Sequence, residues 1–197
     1  MQIKPIILEG TIVRLEPLSM SHVDGLSAVG IDEELWRYTT TVIRNRGDLE
    51  RYVEAALELQ KEGKALPFAI IEKTSGRALG STRYGNIDGP NKRVEIGWTW
   101  VAPAWQRTPV NTECKYLLLK HAFETLGCIR VEFKTDSTNM KSRNALARIG
   151  AMEEGVFRNH MIMPGGRLRH SVYYSIVDSE WEALKRGLEA KLARLPG

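Results

Sequence analysis

Between Arg93 and Leu126 the chain reads RVEIGWTWVAPAWQRTPVNTECKYLLLKHAFETL. Val94, Ile96, Trp98 and Trp100 alternate with Arg93, Glu95, Gly97 and Thr99. That is the period-2 pattern of a strand, and it predicts one apolar face and one face carrying Glu95. A Pro-containing connection runs from Ala102 to Pro109. Val110, Cys114, Leu117, Leu118, Ala122 and Leu126 then recur at helical spacing. A strand, a short loop and a helix start leave free backbone N–H groups at the positive end of a helix dipole, where a phosphate can be held. Arg107, Thr108 and Asn111 add side-chain donors at that point. Pro109 is tolerated there because the N–H it lacks would be unpaired anyway.

Other ionisable groups form no familiar chemical set. No His, Cys, Asp or Glu cluster has metal-ligand spacing, so no metal is predicted. No Ser/His/Asp set is recognisable. His160 and His170 flank a predicted turn and are expected to form a partly exposed polar pair across two strands. His121 sits on the helix between Leu118 and Phe123, as a core-edge residue. Cys114 lies on the apolar helix face and reads as a small core side chain. With Cys128 it makes neither a disulfide framework nor a zinc pattern.

The elements that must position these residues follow from pattern. The chain has 197 residues, enough for one domain, residues 1–197, with a substantial core. Its 43% hydrophobic and 26% charged composition is that of a globular protein. No apolar run reaches the length of a membrane span, and the N-terminus has no signal-peptide h-region; a cytoplasmic location is expected. The net charge of +4, without a basic run, suits a small polyanionic ligand and argues against a nucleic-acid partner.

Strands are predicted at 11–15, 67–72, 78–86, 93–101, 129–135, 151–163 and 168–177. Helices are predicted from Ser19 or Ser21, over 33–38, 48–62 and 110–126, from Asn139 to Gly150, and over 180–194 with Asp178 or Ser179 as cap. Three strands joined by short turns form an antiparallel meander. The helix between the strands at 93–101 and 129–135 makes those two a parallel crossover pair. Pro164-Gly165-Gly166 marks a terminal hairpin. The layout is α+β, and ligands in such sheets favour the carboxyl ends of parallel strands.

The segments GTIVRLEPL, VEIGWTWV, WQRTPVNTECKYLLLKHAFETLG, RVEFKTDSTNMKSRNALARIGAMEEG and YYSIVDSEW together resemble the GNAT acyltransferase family. Within it the chain is most similar to the RimJ/RimL-like N-acetyltransferases. The resemblance covers about residues 8 to 182. It implies a GNAT-like fold: a mixed, mostly antiparallel sheet splayed at one parallel pair and flanked by helices. It implies acetyl-CoA as cosubstrate, lying between the strands at 93–101 and 129–135. Its arm would pair with backbone at Trp98, Thr99, Trp100 and Val101. Its diphosphate would rest on Arg107, Thr108, Val110, Asn111 and Thr112. Asn139 and Ser142 match the family's Asn and Ser beside the arm. One departure stands out: the family's phosphate loop carries glycines, and Gln106 to Asn111 contain none.

Acyl transfer to an amine requires a deprotonated amine, a polarised thioester carbonyl and a proton for the leaving thiolate. The resemblance makes Glu95 the candidate base, with a surface or salt-bridged carboxylate, paired to Arg83 or Arg93, as the alternative. Ser142 is the candidate hydrogen-bond donor to the thiolate. The expected activity is direct acetyl transfer to a primary amine, either a protein N-terminus or a small molecule. A noncatalytic CoA-binding module is the rival reading, and the terminal hairpin and last helix offer surfaces for a homodimer.

Overall fold

The computed structural model describes residue 1 and residues 3–194. In chain order the elements are β1 (Leu8–Glu9), β2 (Val13–Pro17), α1 (Val23–Gly30), α2 (Glu33–Trp36), α3 (Arg46–Lys61), β3 (Leu66–Glu72), β4 (Ala78–Asp88), β5 (Arg93–Val101), α4 (Val110–Lys120), β6 (Arg130–Asp136), α5 (Met140–Arg148), β7 (Met152–Ile162), β8 (Leu168–Val177) and α6 (Asp178–Ala193). One eight-stranded sheet has the order β1-β2-β3-β4-β5-β6-β8-β7. Among the described residues only β5 and β6 pair in parallel; every other pair is antiparallel. This is the mixed sheet, flanked by helices, that the sequence predicts.

Two cores lie on opposite faces of the sheet. One joins Val94, Ile96, Val131, Phe133, Val172 and Tyr174 to Val110, Cys114 and Leu118 of α4 and to α6. The other packs Leu26, Leu49, Val53 and Ala56 of α1 and α3 under Ala69, Ile71 and Trp100. Glu113, buried on α4, ties the sheet's first edge to this helix. Its carboxylate accepts the N–H groups of Thr11, Ile12 and Val13 at 2.7–2.8 Å. A Cβ at Gly10 would meet that carboxylate, so a larger residue there would push Glu113 off its three N–H donors.

The predicted alternation of β5 fails at one place. Gly97 pairs with Arg83, while Trp100 pairs with Ser81, so Thr82 stands opposite two residues, Trp98 and Thr99. Trp98 takes φ 50°. This β-bulge shifts the side-chain parity. Val94 and Ile96 stay on the α4 face, but Trp100 crosses to the α1–α3 core and Trp98 is 40% exposed.

Helix ends show smaller differences. Past Lys120 the helix continues as a π-type turn, His121–Thr125. Just before it the Leu118 carbonyl accepts both the His121 N–H and the Tyr84 hydroxyl, the latter at 2.5 Å. α6 begins at Asp178, earlier than expected. The N-cap is Val177 and not Asp178 or Ser179, and the Glu180 carboxylate in the first turn reaches back to accept the Val177 N–H at 3.0 Å.

Candidate functional site

β5 and β6 share a short ladder: Arg93, Val94 and Glu95 pair with Arg130, Val131 and Glu132. Beyond those three pairs the strands separate, although both continue, to Val101 and Asp136. The result is a fork whose crotch lies at Glu95. Backbone groups on β5 past Glu95 therefore lack a neighbouring strand on this side, and an extended chain can pair with them.

At the open end of the fork lies the glycine-free loop. Arg107 adopts φ 62°, the left-handed conformation that glycine would favour, so the loop keeps the turn without the residue. The Thr108 hydroxyl donates to the Trp105 carbonyl at 2.7 Å and accepts the Val110 N–H at 3.4 Å. Pro109 caps α4. The N–H groups of Asn111 and Thr112, in its first turn, point outward without an intrahelical partner, as every helix start dictates. The Val110 side chain is fully buried in the core, so any contact it makes to a ligand is through its backbone.

The far arm of the fork ends at Asn139. Its Oδ1 accepts the Ser142 N–H at 3.1 Å, which caps α5. Its side-chain amide N–H groups remain available, and both residues are half-buried. Ser142 and Glu95 belong to opposite arms and do not touch.

Inside the fork sits a residue that the sequence reading passed over. Lys115, on α4, is 6% exposed. Its Nζ donates to Thr99 Oγ1 at 2.8 Å and lies 5.7 Å from the Phe133 ring, thereby bridging the two arms. Thr99 Oγ1 also meets Thr82 Oγ1 at 2.8 Å. Burial pulls the Lys115 pKa down to about 8, only partly offset by the negative charge of Glu95. A lysine within the otherwise apolar helix face from Cys114 to Leu119 was the available signal.

Glu95 is 3% exposed. It is neither a surface residue nor paired to Arg83 or Arg93. The Asn86 amide donates to its Oε2 at 2.7 Å, and Lys134 Nζ lies 3.5 Å from the same oxygen. Arg93 turns instead to Asp88 and Glu132. By register, Glu95 shares the sheet face opposite α4 with Arg83 and Gly85 on β4, Lys134 on β6 and Tyr173 on β8. A Cβ at Gly85 would meet the Trp98 ring, which lies on it, so any side chain there must move the ring.

His160 and His170 do not pair. His160 Nδ1 meets Ser171 Oγ at 3.0 Å, while His170 Nδ1 accepts the Asn159 N–H at 2.8 Å. A positive φ at Asn159 and a register shift between Phe157 and Met161 separate them. His121 is buried beside Tyr84, at 3.3 Å, and its pKa is lowered by burial. Among the described residues no group of three His, Cys, Asp or Glu could hold a metal ion.

The site thus combines a slot between two strands, an anion-receptive loop and a buried carboxylate at the slot's closed end. A chain carrying a phosphate at one end fits these features, with its other end beside Glu95.

The family model described as an acetyltransferase (GNAT) domain matches residues 13–152. A solved GCN5-related N-acetyltransferase from Brucella melitensis is 36% identical. It superposes over 98% of this chain and 87% of its own length with a TM-score of 0.90. The "Putative ribosomal N-acetyltransferase YdaF" of Bacillus subtilis (strain 168) is 35% identical over 111 residues, 56% of this chain; the match spans 59% of that relative, less than two thirds of its length. The "Uncharacterized N-acetyltransferase p20" of Bacillus licheniformis is 25% identical over 85% of this chain and 93% of its own.

Proposed function

The chain belongs to the GNAT acetyltransferase family, and from that premise we propose that it moves an acetyl group from acetyl-CoA directly to a primary amine. The observation that carries this reading is the fork that opens beyond the Glu95–Glu132 pair. Acetyl-CoA supplies the activated acyl group as a thioester. The backbone of Trp98, Thr99, Trp100 and Val101 would hold its arm, and Arg107, Thr108 and the N–H groups of Asn111 and Thr112 its diphosphate. The Asn139 amide would donate to the arm from β6.

Glu95 takes the proton released as the acceptor ammonium becomes the nucleophilic amine, directly or through water. A new C–N bond replaces the C–S bond, and the proton that the nitrogen sheds as it becomes an amide ends on the departing sulfur, which leaves as the thiol. Unpaired N–H groups of β5 meet the carbonyl oxygen as it gains charge. The Ser142 hydroxyl, which makes no hydrogen bond among the described residues, donates toward the leaving sulfur. We assign the chain to the RimJ/RimL-like branch on the segments quoted above, supported by the ribosomal term in the YdaF name. We place the reaction in the cytoplasm. No helix among the described residues is long and apolar enough to cross a membrane. β7, a long edge strand with Val156, Phe157 and Ile162 exposed, is the surface expected to pair two copies.

A thiol-release assay with acetyl-CoA over a panel of primary amines tests the proposal. Turnover on at least one class, reduced about a hundredfold in Glu95→Gln, is the expected result. The glycine-free loop favours one rival, a CoA-binding module without turnover. Binding of acetyl-CoA with no thiol release on any amine or N-terminal peptide would establish that reading instead.

A further inference from the structure

Arg83 occupies the same face as Glu95 and has no anionic partner. It is 3% exposed, and its Nε meets no acceptor. Among the described residues no carboxylate lies within salt-bridge distance of it. Glu95, the nearest carboxylate by register, is committed to Asn86 and Lys134. The guanidinium is held between two aromatic rings, 5.1 Å from the centroids of Tyr52 and of Trp98. The Tyr52 hydroxyl reaches the Trp98 carbonyl at 3.4 Å, joining α3 to the bulge.

A second buried guanidinium shares the face. Arg169, on β8, donates only to neutral partners, Ser171 Oγ at 3.1 Å and the Tyr38 carbonyl at 3.1 Å. Lys134 and Arg169 together bias His160 toward its neutral form, after desolvation. Register puts Arg83, Lys134 and Arg169 on the face where the acceptor must approach Glu95, and the other carboxylates there, Glu132 and Asp136, are taken by Arg93, Arg130 and Arg167.

A buried guanidinium without an anion is a poor structural choice, because aromatic faces recover only part of its lost hydration. A fork of five N–H donors suits a carboxylate. Gly85 is directly opposite Glu95, so Arg83, two residues along β4, stands on the diagonal, about 7–8 Å away between backbones. Side chains from those positions converge on one small molecule or one chain end.

We propose that the acceptor amine carries an anionic group, in the simplest case a carboxylate, and that Arg83 receives it while Glu95 serves the amine. The Tyr52 and Trp98 rings, each 5.1 Å from the guanidinium carbon, flank it. Amino acids and acidic peptide ends fit this face; polyamines, which bring only positive charge, do not. The inference deepens the acetyltransferase reading and rests on it for the identity of the ligand.

The test uses the whole protein in two measurements. Calorimetry without cosubstrate compares N-acetylphenylalanine with N-acetylphenethylamine, a pair that differs by the carboxylate. Thiol release compares phenylalanine with phenethylamine and lysine with cadaverine. The carboxylate probes should bind, at least tenfold tighter than their partners, and Arg83→Gln should remove that preference through KM while sparing kcat on the neutral amines. Arg83→Lys should retain part of it, and serves if Arg83→Gln does not fold. Arg83-dependent carboxylate binding without any acetyl transfer would sink the enzymatic reading and leave the clamp. Equal treatment of both members of each pair, or an equal loss on both in the variants, would overturn the clamp. A weakened acetyl-CoA Kd in Arg83→Gln would overturn it too, by assigning the cation to the cosubstrate.

Discussion

Lys115 Nζ and Thr99 Oγ1 are joined at 2.8 Å across the interior of the fork, and no carboxylate shares the bond. The ammonium is charged at neutral pH at the expense of its hydration. Its folded-state pKa, about 8, lies below the unfolded value of about 10.4. Below pH 8 both states carry the proton and the burial cost is complete. Between pH 8 and 10.4 the unfolded state binds more protons, so stability rises with pH there. Lys115→Met should therefore be more stable than the parent at pH 7, by about 2 kcal/mol, with the difference shrinking by pH 10. Urea unfolding at both pH values measures this; a constant difference would argue against the buried ammonium.

Glu113 holds three consecutive backbone N–H groups at the start of β2. Glu113→Gln keeps the shape but turns one acceptor into a donor that faces other donors. The expected loss is about 3 kcal/mol, or roughly 6–12 °C in Tm for a chain of this size. Differential scanning calorimetry reads it. A change under 2 °C would mean that these bonds contribute nothing net.

Gly85 lies beneath the Trp98 ring. Gly85→Ala should lower stability by about 2 kcal/mol through overpacking. The double variant Gly85→Ala/Trp98→Ala should lose less than the sum of the two single changes, because the second change removes the collision made by the first. Strict additivity in thermal unfolding would show that the ring is elsewhere in solution.

Asn139 serves α5 with one atom and leaves its amide N–H groups free. Asn139→Ala should cost about 1 kcal/mol of stability as a lost cap, and should also raise the Kd for acetyl-CoA. Asn139→Asp keeps the cap but not the donor. Weakened binding in both variants supports a contact to the cosubstrate arm; weakened binding in the alanine variant alone reduces Asn139 to a cap.

The fold was legible because its signals are local. The period-2 run at Val94 and Ile96, the helical spacing from Val110 to Ala122, and the Asn139 cap each depend on neighbours in sequence. The bulge at Trp98 was not legible. Trp98 and Trp100 continue the alternation by residue type, and Gly97, the one residue beside the bulge that could have marked it, fits the alternation equally well as a member of the Glu95 face. Arg107 likewise holds a left-handed conformation that the sequence gives no cause to expect. The environment of Glu95 was hidden for another reason: Asn86 and Lys134 reach it from two other strands, and register is set by the whole sheet. Arg83 and Lys115 were missed because a cation in an apolar element is unremarkable until its partners are shown to be absent.

The three-pair ladder between β5 and β6 has a mechanical implication. The sheet divides into two ladders, β1–β5 and β6–β8, stitched along one margin and backed by α4. A strand-like guest laid into the gap would supply the missing stitches, and the amide hydrogens of the β5 margin would then exchange more slowly than in the empty protein. Occupancy and rigidity of the two ladders are in this way a single variable.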